Sequence, residues 1–182
     1  MDKQSLNRLF TFTTAPRFFV TFLVATALWS GLGKADHLQS PRGEVILTIT
    51  GPMTQTNISE GAAFDLDMLS KIGTVTFSTS TPWTEGVQEF TGVPLSQLLV
   101  HIGAMPTNLI VSAINEYQIE IPATDAVSDG PILAWDQGGK QLSVREKGPL
   151  WLIYPFDLKA SYQTDAIYAR AVWQVVKIDL LP

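Results

Sequence analysis

The 182 residues contain no cysteine, and histidine occurs only at His37 and His101. Thiolate chemistry is therefore closed to this chain: no disulfide framework, thiolate metal site, Fe–S cluster or cysteine nucleophile. Two histidines are too few for an ordinary His-rich zinc site. A nucleophilic triad would have only His101 as its usual base, and no flanking signature accompanies it. His101 sits near the end of an expected helix, where a cation suits the dipole, so a structural role explains it. Asp65 and Asp67 pair on a short amphipathic stretch and read as a cap and a surface charge. No P-loop, GxGxxG, GxSxG or HExxH pattern occurs. Trp83 stands out, because it follows Pro82 in a polar loop with no apolar periodicity around it. An exposed aromatic there is best explained by a ligand or a partner.

The elements that must hold these side chains alternate between short strands and short helices. Glu44–Thr50 reads as a strand ended by Gly51-Pro52, and Asn57 to Gly61 as a turn. Ala63–Ile72 reads as a helix that Asp65 can cap, with Leu66, Leu69 and Ile72 on one face. Thr74–Thr79 and Val87–Thr91 are β-branched strands around the Trp83 loop. Leu95–Ile102 is a helix with Leu95, Leu98, Leu99 and Ile102 at buried-face spacing, Pro94 at its start and Gly103 at its end. Asn108–Ala113 and Tyr117–Ile121 flank a turn at Ile114-Asn115-Glu116. Pro122–Ser128 is a short helical or irregular connection. Ile132–Trp135, Gln141–Val144, Leu150–Tyr154 and a last strand over Ala169–Leu180 complete the chain. In those strands Trp151 and Trp173 alternate with apolar residues and read as core. The pattern predicts one α+β domain over 44–182, with a mainly antiparallel or mixed β core and short helices.

Charge divides the chain. Lys3, Arg8, Arg17 and Lys34 stand against Asp2 alone in the first 35 residues. The rest carries 8 basic and 16 acidic side chains, a net of −8, which argues against nucleic acid. Residues 18–32 are uncharged and apolar, with Gly33 and Ala35 placed for cleavage before Asp36. A basic start, an apolar core and small residues at the cut are the parts of an export signal. Residues 1–35 are thus expected to be a signal peptide, with an uncleaved anchor as the alternative, and 36–43 a linker. A periplasmic location follows as an expectation.

The stretch Phe90-Thr91-Gly92-Val93-Pro94-Leu95-Ser96-Gln97-Leu98-Leu99 gives the first familiar pattern. Later come Ile132-Leu133-Ala134-Trp135, the Asp136-Gln137-Gly138-Gly139 turn and Gly148-Pro149-Leu150-Trp151-Leu152-Ile153-Tyr154-Pro155. Their order and spacing, over about 44–181, resemble the molybdopterin-binding domain of sulfite-oxidase-type oxidoreductases. The resemblance implies a sulfite-oxidase-like fold. In that family a cysteine thiolate, four residues ahead of a loop Trp in many members, ligates molybdenum. Here Thr79 stands four before Trp83. A hydroxyl is not a soft ligand and does not ionise near neutral pH. None of the basic residues clusters near the Thr79–Trp83 loop in sequence. The expectation is that the scaffold is kept and molybdopterin as a catalytic cofactor is lost.

The chain is similar to a subgroup of exported, cysteine-less domains, some of which bind pterins and partner membrane receptors that make or degrade cyclic di-GMP. That resemblance implies a pterin ligand and a membrane receptor with a periplasmic sensor domain. A pterin site needs an aromatic clamp and a few placed donors and acceptors. Thr79, Thr81 and Trp83, then Asn115 and Tyr117, then Asp125, then Trp151, Tyr154 and Phe156 can supply them. Trp83 or Trp151 can stack on the ring. Asp125 or Asn115 can accept from its amino and ring N–H groups, and Tyr117 or Tyr154 can bond its exocyclic oxygen. Asn115 equally suits a turn and Asp125 a helical cap. The alternatives are a molybdenum-dependent oxidoreductase and a ligand-free protein-interaction module.

Overall fold

A computed structural model describes residues 38–182. The expected export signal and its cleavage point lie outside the described residues. Among the described residues no helix is long and apolar enough to cross a membrane.

Two β-sheets share one hydrophobic core. The first runs in the order β2 (Gly61–Phe64), β1 (Leu47–Thr50), β10 (Val175–Leu181), β5 (Asn108–Ala113), β6 (Gln118–Pro122). Only β1 and β10 pair in parallel; the other neighbours are antiparallel. The second sheet runs β3 (Val75–Ser80), β4 (Val87–Pro94), β7 (Ile132–Gln137), β8 (Lys140–Gln141), and β9 (Trp151–Ile153) also pairs with β7. The helices are short: α1 (Leu66–Ile72), α2 (Leu95–His101) and α3 (Asp165–Arg170). In the first sheet alternation builds the core, burying Leu47, Ile49, Leu109, Val111, Ile178 and Leu180; in the second, Ile132–Trp135 and Trp151–Ile153 are buried continuously. The expected α+β fold with a mixed β core and short helices is the one observed.

Three elements differ from the sequence reading. Ala63 and Phe64 end strand β2 and do not start a helix, because the backbone of 61–64 pairs with β1. Gly61 approaches so closely that a Cβ there would lie 2.0 Å from the Ile49 carbonyl oxygen. The helix waits for Asp65, whose carboxylate accepts from the Met68 N–H at 2.8 Å. The expected strand over 169–180 is split: α3 precedes it, capped by Thr164, and pairing starts only at Val175. Trp173 thus lies ahead of β10, not inside a strand. The expected strand over 141–144 is two residues of β8 followed by a 3-10 turn at Val144–Glu146.

The segment read as a linker is tied down over its described part. Leu38 packs against the core, and the Gln39 carbonyl accepts from Asn57. The Arg42 and Gly43 N–H groups both donate to Asp65 Oδ2 at 2.8 Å. The N–H groups of Gly43, Met68 and Arg42 hold the Asp65 carboxyl below the usual carboxylate range, against its burial. A lowered folded-state pKa stabilises the fold fully above the unfolded value and is lost as pH falls through the folded one. Asp65→Ala is expected to cost about 1–2 kcal/mol from the lost cap alone. Urea melts at neutral and acidic pH check this, and the difference between variant and wild type should shrink as the pH falls.

Candidate functional site

The site forms where three loops meet. Thr81 shapes the first of them. Its hydroxyl accepts from the Trp83 N–H at 3.1 Å and bonds the Thr84 hydroxyl at 2.8 Å. This turn carries the Trp83 ring inward, so it is half-buried, not the exposed side chain expected. Four aromatic rings meet it edge-on: Trp173 at 5.7 Å, Trp151 at 6.0 Å, Tyr168 at 6.1 Å and Phe156 at 6.3 Å between centroids. Such contacts hold Trp83 by ring electrostatics as well as by area.

Next to this cluster lies a cavity of about 280 Å³. Trp83, Tyr168 and Trp173 line it together with Asn115 and Tyr117 from the β5–β6 turn. Small residues, Ala113, Ala169 and Ala171, leave the room between them. No lining side chain is charged. Asn115 both makes the turn and lines the cavity: its Oδ1 accepts from the Tyr117 N–H at 3.2 Å. The Tyr117 hydroxyl reaches the Ala169 carbonyl at 3.4 Å, the long end of a hydrogen bond, so it is readily recruited by a ligand. A slot with aromatic walls, one amide and two phenols can hold a flat ring and satisfy a few polar atoms on its edge.

The predicted site residues divide. Trp83, Asn115 and Tyr117 come together in the lining. Trp151 and Phe156 lie beneath Trp83 and are fully buried, so they support the clamp from behind. The Trp151 indole N–H finds no acceptor among the described residues. Thr81 acts on the loop and does not line the cavity. Asp125 and Tyr154 are placed elsewhere. Asp125 Oδ2 accepts from the Tyr154 hydroxyl at 2.7 Å and from Arg170 Nη1 at 2.8 Å, so that oxygen is engaged inside the protein. Burial first, then Asp125, pushes the Tyr154 phenol well above its ordinary value, which keeps it a donor. Thr79 is fully buried under the backbone of Asp157, away from the cavity. Sequence reasoning missed Tyr168 and placed Trp173 in the core. Reading Thr164-Asp165 as a helix start and Arg170 as a helix end was the available signal.

Two sheets with this strand order, wrapped around an aromatic loop after β3, define a sulfite-oxidase-like fold. Residues 65–160, more than half of the chain, match the family described as the oxidoreductase molybdopterin binding domain, and the chain belongs to that family. It is a domain of the molybdopterin-binding oxidoreductase type. Among solved structures it is similar to the sulfane dehydrogenase SoxCD from Paracoccus pantotrophus, at 18% identity and a TM-score of 0.53. That match covers 74% of this chain and 37% of the other, and at this identity it concerns the fold alone. No curated protein matches the chain.

The residues present do not fit a molybdenum centre. Thr79 offers a hydroxyl that accepts from the Asp157 N–H at 3.1 Å and donates to the Ser80 carbonyl at 3.2 Å. Among the described residues no three His, Cys, Asp or Glu side chains converge as metal ligands. The cavity also lacks a lining cation to neutralise a phosphate.

Proposed function

We propose that this chain is a non-catalytic pterin-binding protein built on the molybdopterin-binding scaffold. The observation that carries the reading is the uncharged cavity lined by Trp83, Trp173 and Tyr168 together with Asn115 and Tyr117. The aromatic side supports ring contact. The Asn115 amide, which donates and accepts, matches the mixed edge of a pterin. The hydroxyl at position 79 supports binding in place of redox work. In this reading the protein acts in the periplasm and signals ligand occupancy to a membrane receptor of the cyclic di-GMP type, a role drawn from the sequence resemblance.

The test is titration of the purified protein with oxidised and reduced biopterin, followed by tryptophan fluorescence and calorimetry. Saturable binding with quenching of indole emission is expected. Asn115→Leu should weaken it about tenfold, because an unsatisfied polar edge costs about 1–3 kcal/mol. Trp83→Ala should weaken it at least as much. No saturable binding below the millimolar range overturns the reading. Stoichiometric molybdenum in protein from a molybdenum-replete host would favour the oxidoreductase alternative instead.

A further inference from the structure

The acidic domain has one basic place. Of the eight Lys and Arg residues beyond position 35, Lys140, Arg145 and Lys147 fall within eight residues of sequence. The fold gathers them around a depression of about 410 Å³, bounded by Gln137 and Gln141. Elsewhere Lys71, Lys159, Arg170 and Lys177 each meet a carboxylate, and Arg42 stands alone on the chain before β1. In the depression the one acid, Glu146, is taken up by Lys140 at 2.6 Å and the Ser143 hydroxyl at 3.0 Å. Arg145 and Lys147 have no carboxylate partner among the described residues. Lys147 lies 5.2 Å from the centre of the Trp151 ring, and Val144, beside them, is half exposed. Two unmatched cations side by side with an apolar side chain, on a domain of net charge −8, form a complement for an acidic chain.

This depression is bonded to the cavity. Gln174 directly follows Trp173 and sits in the left-handed region, at φ 55°. Its N–H donates to the Lys147 carbonyl at 2.9 Å, and its side-chain amide to the Val144 carbonyl at 2.7 Å. Its own carbonyl accepts from the Ile114 N–H at 3.0 Å, at the turn that carries Asn115 and Tyr117. The non-glycine residues with left-handed φ among those described are Glu116, Lys147 and Gln174, one in each joined segment. Backbone held there by its surroundings concentrates at functional places.

We propose that the Lys140–Lys147 depression is the docking site for an acidic segment of a partner protein, and that Gln174 links it to the cavity. The docking stands on charge and shape. The link to a ligand rests on the pterin reading above. A segment of alternating Glu and apolar residues would meet Arg145 and Lys147 with its carboxylates and Val144 with its apolar side. Charge steering of this kind weakens steeply with salt.

The experiment uses the whole purified protein and a fluorescein-labelled peptide of alternating Glu and Leu, read by anisotropy at low and high salt. Wild type should bind in a salt-sensitive manner. Arg145→Glu should weaken binding about tenfold, and adding Lys147→Gln should remove it. Lys71→Glu, on α1, should leave it unchanged. In spectra of the isotope-labelled protein, the peptide should shift the amides of 144–148 and also those of Trp173 and Gln174. Equal binding by wild type and Arg145→Glu overturns the proposal, as does preference for phosphatidylglycerol vesicles over the peptide with the same residue dependence. Docking without biopterin binding leaves the surface standing and removes the ligand reading. Biopterin binding without docking does the reverse.

Discussion

Asp125→Ala is expected to destabilise the protein by about 2–3 kcal/mol, between the cost of breaking a surface bridge and that of removing one partner from a buried ion pair. The Asp125 and Arg170 side chains are only 15% and 25% exposed, so solvent screens them little. One oxygen, Oδ2, serves both the Arg170 guanidinium and the Tyr154 hydroxyl. Its loss strands a cation and a fully buried phenol together. The contact also joins distant segments: the 3-10 turn at Ala123–Asp125, the end of α3, and the residue after β9. A thermal melt should show a fall of roughly 10 °C. Tyr154→Phe removes one donor and leaves the ion pair, so a loss of about 1.5–3 kcal/mol is expected. Arg170→Met combined with Asp125→Leu should recover part of the stability lost in either single variant, because a matched apolar pair strands no charge. A cost below about 1 kcal/mol for Asp125→Ala would mean that the pair behaves like a surface bridge.

This network also shows where sequence reasoning stops. Asp125 was visible as a carboxylate on a short connection, and the connection is there as a 3-10 turn, but the side chain is set in an ion pair away from the cavity. Its partners are 29 and 45 residues away, and nothing local signals them. The strand at Asn108–Ala113 and the turn after it were legible because alternation and turn chemistry are local. The passage from β4 into α2 was legible too, since Pro94 ends one pattern where the leucine spacing of the next begins. β2 was not: Gly61–Phe64 is four residues long, and only pairing with β1 makes it a strand. The candidate site was half legible for the same reason. Trp83 and the Asn115–Tyr117 turn carry local signals, whereas Tyr168 and Trp173 reach the cavity because α3 and the chain after it fold back there. The basic residues mislead in the opposite way. None is near Trp83 in sequence, yet Lys147 ends 5.2 Å from Trp151, whose ring touches that of Trp83.

Thr79→Cys is expected to place a thiol where the sequence resemblance puts a cysteine, without creating a metal centre. The two side chains are similar in size, and the position is fully buried, so the variant should fold. The backbone then decides the outcome. The Asp157 N–H lies over the position 79 side chain, and the Asp157 carboxylate accepts from the Ser80 N–H at 2.5 Å and the Ser80 hydroxyl at 2.6 Å. The Ser80 hydroxyl first, and the Ser80 N–H next, hold that carboxyl below its usual range, so it is an anion at neutral pH. A thiol placed there meets burial and a neighbouring negative charge, and both disfavour the thiolate that a metal requires. The native variant should therefore react with Ellman's reagent only slowly, and should carry molybdenum well below one equivalent when produced in a molybdenum-replete host. Adding Asp157→Ala removes the charge and opens the end of β3, so labelling should accelerate while the molybdenum content stays low, because the cavity still lacks a cation for the cofactor's phosphate. Fast labelling of Thr79→Cys alone, together with a full equivalent of molybdenum, would show that a single residue is enough to give this domain a metal site.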